Sequence, residues 1–376
     1  MVKLEPEIQK KIDAIATRVV AVNAEEVDRD GAFPQAAMDA LAGAGFYGLI
    51  SAREVGGLGC SQGAAAAVVE RVAQECGSTA MVLAMHYAGA AVIEKYGPEP
   101  VRRDIAAGKH LSTLAFSEAG SRSHFWAPTS TAKPSGGRVV LDAEKSWVTS
   151  AGHATAYVWS SRPVKAEGAS TIWLVPTDAA GLAMPRPYNG LGLRGNDSRP
   201  VTARQVTIAE AQRLGDDGAG FAIMMETVLP CFNLMNAAFS VGLMEAGTTR
   251  TAAHAAVSRY AHVDMSLADL PTVRAYIARM RVRTDMARTL WLDSIEAVET
   301  GRQDAMMRVL ECKAAAGETA LEVLAAAMRV CGGAAFRKDV GVERYFRDAQ
   351  AANVMAPTTD QLYDFIGKAA CGLPLF

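Results

Sequence analysis

The chain has 376 residues, half of them hydrophobic, and a net charge of −2. That length builds a large core divided into two or three substructures, and near-neutrality without any block of like charge argues against nucleic acid or an anionic membrane surface as a partner. The N-terminus MVKLEPEIQK has no apolar signal core and no uninterrupted apolar run of about 18 residues is present, so the expectation is a cytoplasmic protein with no membrane partner.

The first third reads as helix. In PEIQKKIDAIATRVVAVNAEEVDR, the residues Ile8, Ile12, Ile15, Val19 and Val22 recur three or four apart and predict one apolar face. FPQAAMDALAGAGFYG predicts a second helix with Pro34 near its first turn and Gly43 or Gly45 at its end. SQGAAAAVVERVAQECG and STAMVLAMHYAGAAVIEKYG predict two more, the latter with Ser78 as N-cap and Gly97 as stop. The GAGFYG within this region has the spacing of a dinucleotide-binding G-x-G-x-x-G. It follows a helix rather than a strand and lacks a βαβ frame, so it reads as a helix stop and turn; REVGGLG likewise reads as a turn.

After about residue 112 the pattern changes. GRVVLDAEKSWVTS, TAYVWSSRP, STIWLVPT and RPVTARQVTIAE are short, rich in β-branched and aromatic residues, and separated by Gly, Pro and Asp, as in antiparallel strands of a small barrel or sandwich. From about residue 218 helix returns. NLMNAAFSVGLMEAG is apolar nearly all round and predicts a helix buried within a bundle; the long segments ending in VETG and RVCGG each stop at glycine. The predicted fold is therefore α+β: an N-terminal helical domain over 1–112, a central β-domain over 113–217, and a C-terminal helical bundle over 218–376. The six cysteines are scattered without a C-x-x-C pair and the six histidines lack ligand spacing, so neither disulfides nor a metal is expected.

Five stretches, taken in order, resemble the acyl-CoA dehydrogenase superfamily. FYGLISAREVGGLG looks like its early interhelical turn, and LAFSEAGSRSHF like its flavin-facing T-E-P-G-x-G-S-D segment. KSWVTSAG is similar to its K-x-W-I-T-N-G strand, LGLRGNDS to its L-G-x-R-x-S loop, and RVCGGAAFRKDVGVERYFRDA to its Gly-Gly and R-D-A segment. The resemblance implies a three-domain flavoprotein with a four-helix C-terminal bundle, assembled as a homo-oligomer, a tetramer or a dimer. FAD would lie between the β-domain and the bundle, where a flat ring needs an apolar wall and donors along one edge. It implies flavin contacts from Phe116, Ser117, Ser123, Trp147, Thr149, Thr358 and Asp360. Arg259, Gly332 and Gly333 would serve across the subunit boundary. Substrate contacts would come from Ser123, His124, Phe232 and Met355.

The family's reaction takes a proton from Cα and a hydride from Cβ of an acyl thioester, and a partly buried Glu normally receives the proton. Its two known positions correspond here to Ala356 and Phe232, neither of which binds a proton. His86, on a helix near the predicted cavity, is the replacement candidate, against the alternative of a core histidine bonded to backbone. His124, Asp360, Glu226 and Glu245 are further candidates. The resemblance thus leaves three functions open: α,β-oxidation of an acyl-CoA or carrier-bound acyl thioester with a non-standard base; a flavin-dependent monooxygenase or oxidase on the same fold; and a non-catalytic flavin- or thioester-binding homologue. The electron acceptor would be an electron-transfer flavoprotein or oxygen.

Overall fold

The computed structural model describes residues 4–122 and 124–375. Six helices open the chain among these residues: α1 (Pro6–Ile15), α2 (Ala21–Asp30), α3 (Gln35–Gly43), α4 (Gln62–Ala73), α5 (Gly77–Tyr96) and α6 (Glu99–Ala106). A π-helical turn, Ala16–Val20, joins α1 to α2. It widens the turn beyond 3.6 residues, so the buried positions run Ile12, Ala16, Val20, Ala24. The predicted stripe fails after Ile12: Ile15 and Val19 are half-buried and Val22 is 72% exposed. Helix α5 begins two residues early, with Cys76 rather than Ser78 at its N-cap and no side-chain cap, while Gly97 ends it as expected. Ser78 is free for another task described below.

The central domain holds two open four-stranded sheets rather than a closed barrel. One runs β1 (Ser112–Ala115), β4 (Ala156–Ser161), β5 (Thr171–Pro176), β8 (Arg213–Leu214); the other runs β2 (Thr131–Ser135), β3 (Arg138–Val148), β7 (Arg199–Ala209), β6 (Leu182–Ala183). The antiparallel expectation fails at one pair, since β1 lies parallel to β4. The first sheet is buried on both faces. Tyr157, Trp159, Trp173 and Val175 point into the sandwich against Val139, Leu141, Val201 and Ile208. The alternating set Val158, Ile172 and Leu174 joins the helical core. The sheet thereby welds the sandwich to the helices.

The bundle follows: α7 (Gly220–Ile223), a π turn (Met224–Val228), α8 (Leu229–Val257), α9 (Pro271–Glu299), α10 (Ala305–Cys331), α11 (Val342–Val354) and α12 (Thr359–Ala370), with the two-residue strands β9 (Arg259–Tyr260) and β10 (Met265–Ser266) between α8 and α9. Among the described residues two helical runs, Gly220–Val257 and Ala305–Phe336, are long and apolar enough to cross a membrane by length and composition, although polar residues interrupt each. In the first, 94% of the most apolar window is buried, so α8 is the axis of the bundle. Its face toward α4 and α5 shares one continuous core with the N-terminal helices.

Candidate active site

All three parts of the fold meet around one cavity of about 910 Å³. Met85 comes from α5; Leu114, Phe116, Ser117, Trp147, Thr149 and Ser198 from the β-domain; Val228, Leu229 and Phe232 from the start of α8; and Val354 to Thr358 from the end of α11. One side is apolar and the other carries hydroxyls. Thr149 Oγ1 and Ser198 Oγ lie 3.0 Å apart, and the Ser198 amide donates to Asn196 Oδ1 at 3.1 Å.

Trp147 reaches this cavity through a β-bulge. Lys145 pairs with Val201 and Val148 with Arg199, so β3 takes three steps where β7 takes two. The additional residue puts Trp147 at φ 58°, a left-handed conformation that a bulky side chain rarely adopts, and leaves it 69% exposed on the cavity wall. Simple strand alternation, which would place Trp147 and Thr149 on one face, therefore does not apply. The bulge instead delivers both to the cavity, with Thr149 buried just past the strand end. Tyr188 meets Trp147 edge-on at 6.5 Å, and its hydroxyl donates to the Gly192 carbonyl at 2.8 Å.

A buried ion pair fixes the base of the bulge. Lys145 Nζ donates to Glu118 Oε1 at 2.6 Å, to the Ser160 carbonyl at 2.7 Å and to Ser160 Oγ at 3.0 Å. Glu118 Oε2 accepts from the Thr129 amide at 2.6 Å and the Ser130 amide at 3.1 Å. Burial disfavours both charges; the Lys145 ammonium and these donors more than offset it for Glu118, whose carboxyl lies below its ordinary range. Burial draws the Lys145 amine below its own range, with Glu118 opposing. Together with the Ser146 amide donating to the Ser117 carbonyl at 2.9 Å, the pair ties the Phe116–Arg122 segment to the Trp147 bulge.

The floor is the loop 190–196. The Leu193 amide donates to Asp348 Oδ1 at 2.6 Å, Arg194 Nε to the Asp28 carbonyl at 2.6 Å, and the Gly195 amide to Ser78 Oγ at 3.1 Å. Ser78 thus anchors the loop instead of capping α5. Gly192 lies so close to α11 that a Cβ would sit 2.5 Å from the Arg347 carbonyl carbon. Arg347 is itself paired with Asp28 and Glu343. The opposite wall is set by Lys313 on α10, fully buried, whose amine donates to the carbonyls of Ala352 (3.1 Å), Met355 (3.2 Å) and Pro357 (2.7 Å). Burial lowers this amine to about 7, while three carbonyls at the end of α11 accept its three protons and favour the cation. That arrangement turns Met355 and Ala356 toward the cavity.

The structure brings together Phe116, Ser117, Trp147, Thr149, Phe232, Met355, Ala356 and Thr358. Thr358 also caps α12, its hydroxyl accepting from the Gln361 amide at 3.3 Å. Other predicted residues stand apart. His86 is fully buried outside the cavity lining: Nε2 lies 3.0 Å from the Tyr47 carbonyl and Nδ1 accepts from the Ser112 amide at 3.1 Å. Both nitrogens are committed to backbone, and burial lowers the ring to about 4, so His86 is a core histidine and not a base facing substrate. His124 is exposed beside Trp126. Asp360 is exposed in the first turn of α12. Glu245 is held to about 2 by Arg281 and Arg288, and Glu226 faces a separate small cavity. Arg259 pairs with Asp264 at 2.9 Å on the exposed β9–β10 hairpin, and among the described residues nothing packs within 4 Å of a Cβ placed on Gly332 or Gly333. Ser123 lies outside the described residues. Sequence reasoning missed Arg122, Tyr188, Asn196 and Ser198 as lining residues and Lys313 as a wall anchor. The lone lysine in the apolar run LECKAAAG is the signal that would have found the last.

An aromatic-walled cleft with hydroxyls along one edge, set between a β-sandwich and a helical bundle, suits the class of oxidoreductases that hold a flat organic cofactor. Three domain families match in register: acyl-CoA dehydrogenase N-terminal domain over residues 4–108, middle domain over 113–206 and C-terminal domain over 218–371. The chain is 26% identical over 368 residues to the probable acyl-CoA dehydrogenase YngJ of Bacillus subtilis, covering 96% of each. Its fold matches butyryl-CoA dehydrogenase from Megasphaera elsdenii with a TM-score of 0.90 at 19% identity, covering 99% of this chain and all of that one. It matches the prolyl acyl carrier protein oxidase AnaB with a TM-score of 0.88 at 18% identity, covering 98% of this chain and all of that one. The chain belongs to the acyl-CoA dehydrogenase family and is an FAD flavoprotein oxidoreductase.

The residues fit that cofactor. Trp147, exposed yet fixed by backbone and by Tyr188, is an aromatic wall of the kind an isoalloxazine ring covers. Ser117, Thr149 and Ser198 supply hydroxyls for its polar edge.

Proposed function

We propose that this protein oxidises an acyl thioester between Cα and Cβ, with the acyl chain among Met85, Leu229, Phe232 and Met355. When bound, FAD supplies the hydride acceptor. Trp147 and Thr149 orient it, and the apolar wall excludes water from the reacting carbons. One observation carries the reading: the cavity joins a fixed aromatic wall and hydroxyl edge to an apolar pocket in a chain of this family. Neither Ala356 nor Phe232 receives the Cα proton, and the only carboxylate among the described lining residues, Glu118, is committed to Lys145, so the proton must pass to a non-standard base outside these three positions as the hydride passes to the flavin.

That same observation supports a second reading, an oxidase on the same fold, for which likeness to AnaB is a precedent of fold alone. A carrier-bound thioester is the alternative substrate to an acyl-CoA. The exposed apolar residues Val282 and Met286, one turn apart on α9, and Phe336 beside Gly332 suit a homo-oligomer in which Arg259 and the glycine pair serve a neighbouring site. Turnover with a panel of acyl-CoA and carrier-bound thioesters, followed by mass spectrometry, tests the proposal. An unsaturated product two hydrogens lighter is expected with an added electron acceptor. Peroxide formation in air favours the oxidase, and no product from any thioester sinks both readings.

A further inference from the structure

Arg122 sits on the rim of the cavity, in the segment that Glu118 and Lys145 lock to the Trp147 bulge. Its amide donates to the Glu118 carbonyl at 3.0 Å, closing a tight turn that puts Arg122 at φ 49°. Left-handed backbone is a place for glycine; an arginine there is strained and leaves a long cation directed from a turn. The residue is exposed, and among the described residues its guanidinium has no ion-pair or hydrogen-bond partner. The other arginine on the lining, Arg347, is consumed by Asp28 and Glu343. Among the described lining residues Arg122 is thus the free cation, while the interior wall of Met85, Leu229, Phe232 and Met355 offers an anion nothing.

We propose that Arg122 is a phosphate-recognition residue, which grips a phosphate group of a ligand whose apolar or aromatic end fills the cavity. A guanidinium presents paired N–H donors that match phosphate oxygens, and at a rim it needs no desolvation before the ligand arrives. This assignment rests on the flavin and thioester reading above, because both FAD and a pantetheine-based thioester join a phosphate to a group that suits the interior.

The test uses Arg122→Gln and Arg122→Gly. The glycine variant accepts the left-handed backbone and is expected to fold at least as stably as wild type, which separates ligand recognition from folding. Affinities of deflavinated protein for FAD and riboflavin, and of holoprotein for coenzyme A, 4′-phosphopantetheine and pantetheine, are compared across a salt series. Both variants should weaken one phosphate-bearing ligand roughly ten- to a hundredfold and flatten its salt dependence, with the phosphate-free partner unchanged. Loss confined to FAD places its pyrophosphate at Arg122; loss confined to coenzyme A and phosphopantetheine places the carrier arm there. Unchanged affinity for every phosphate ligand, or equal loss for riboflavin or pantetheine, overturns the assignment alone. Wild-type protein that binds neither FAD nor coenzyme A overturns the functional reading and this assignment with it.

Discussion

Replacing Lys145 with methionine tests how the site is held. Both side chains of the Lys145–Glu118 pair are essentially excluded from water, at 0% and 1% exposure. Methionine fills the volume but strips Glu118 of its counter-charge and leaves the Ser160 carbonyl without the donor at 2.7 Å. The Thr129 and Ser130 amides still face Glu118, yet they do not neutralise it. Breaking a buried pair from one side costs about 3–5 kcal/mol, whereas removing both charges is close to neutral. Lys145→Met should therefore lower the urea midpoint sharply, and Glu118→Gln/Lys145→Met should recover most of the loss. Because Glu118 is shifted down in the fold, its contribution is complete above its unfolded range and is lost as acid protonates it; the gap between wild type and the double variant should narrow in acid. The single variant should also purify with less flavin, since the pair joins the Phe116–Arg122 segment to Trp147. A cost below about 1 kcal/mol with full flavin, or a double variant worse than the single one, refutes the reasoning.

Three further outcomes are expected. His86→Ala orphans the Tyr47 carbonyl and the Ser112 amide at roughly 1–3 kcal/mol each, while the pH profile of flavin reduction by substrate keeps its shape; a displaced profile would restore His86 to the chemistry. Burial raises the Asp348 carboxyl from 3.8 to about 7, with Arg344, Arg347 and Asp28 nearby. Between those values the native state keeps a proton that the unfolded chain has lost, so this group makes stability fall as pH rises, by at most about 1.4 kcal/mol per unit. Asp348→Asn keeps an acceptor for Leu193 and should remove that slope; identical pH–stability curves for variant and wild type would contradict the shift. Ala356→Glu places a carboxylate on the cavity wall and should speed anaerobic flavin reduction by about 10²–10⁴-fold if proton removal is limiting, read by stopped-flow absorbance; a slower or unchanged rate means an acceptor already exists elsewhere.

The order helix, strand, helix was legible because periodicity and composition change sharply near residues 112 and 218. The π turn at Ala16–Val20 was not, since five-residue turns leave no residue signature and only tertiary packing decides which stripe is buried. The lining residues Ser117, Trp147 and Thr149 were reached through ordered motifs, but the reason they converge, a bulge at Trp147, depends on pairing with β7 that local alternation cannot reveal. His86 shows the opposite case. A histidine in an apolar helix looks reactive on paper, and only the Tyr47 and Ser112 backbone, 39 and 26 residues away, shows that both nitrogens are occupied. Arg122 escaped notice because an arginine in a polar turn looks like any solvated charge, and only the fold places it on the lining of the cavity.

The central claim is that an acyl thioester in this cavity reduces the flavin beside Trp147. Anaerobic titration of the purified holoprotein with acyl thioesters of graded chain length, monitored at the visible flavin band, tests it most directly. The account predicts that at least one thioester bleaches the band stoichiometrically. A protein that carries flavin whose spectrum no thioester alters, or that carries no flavin at all, would contradict it.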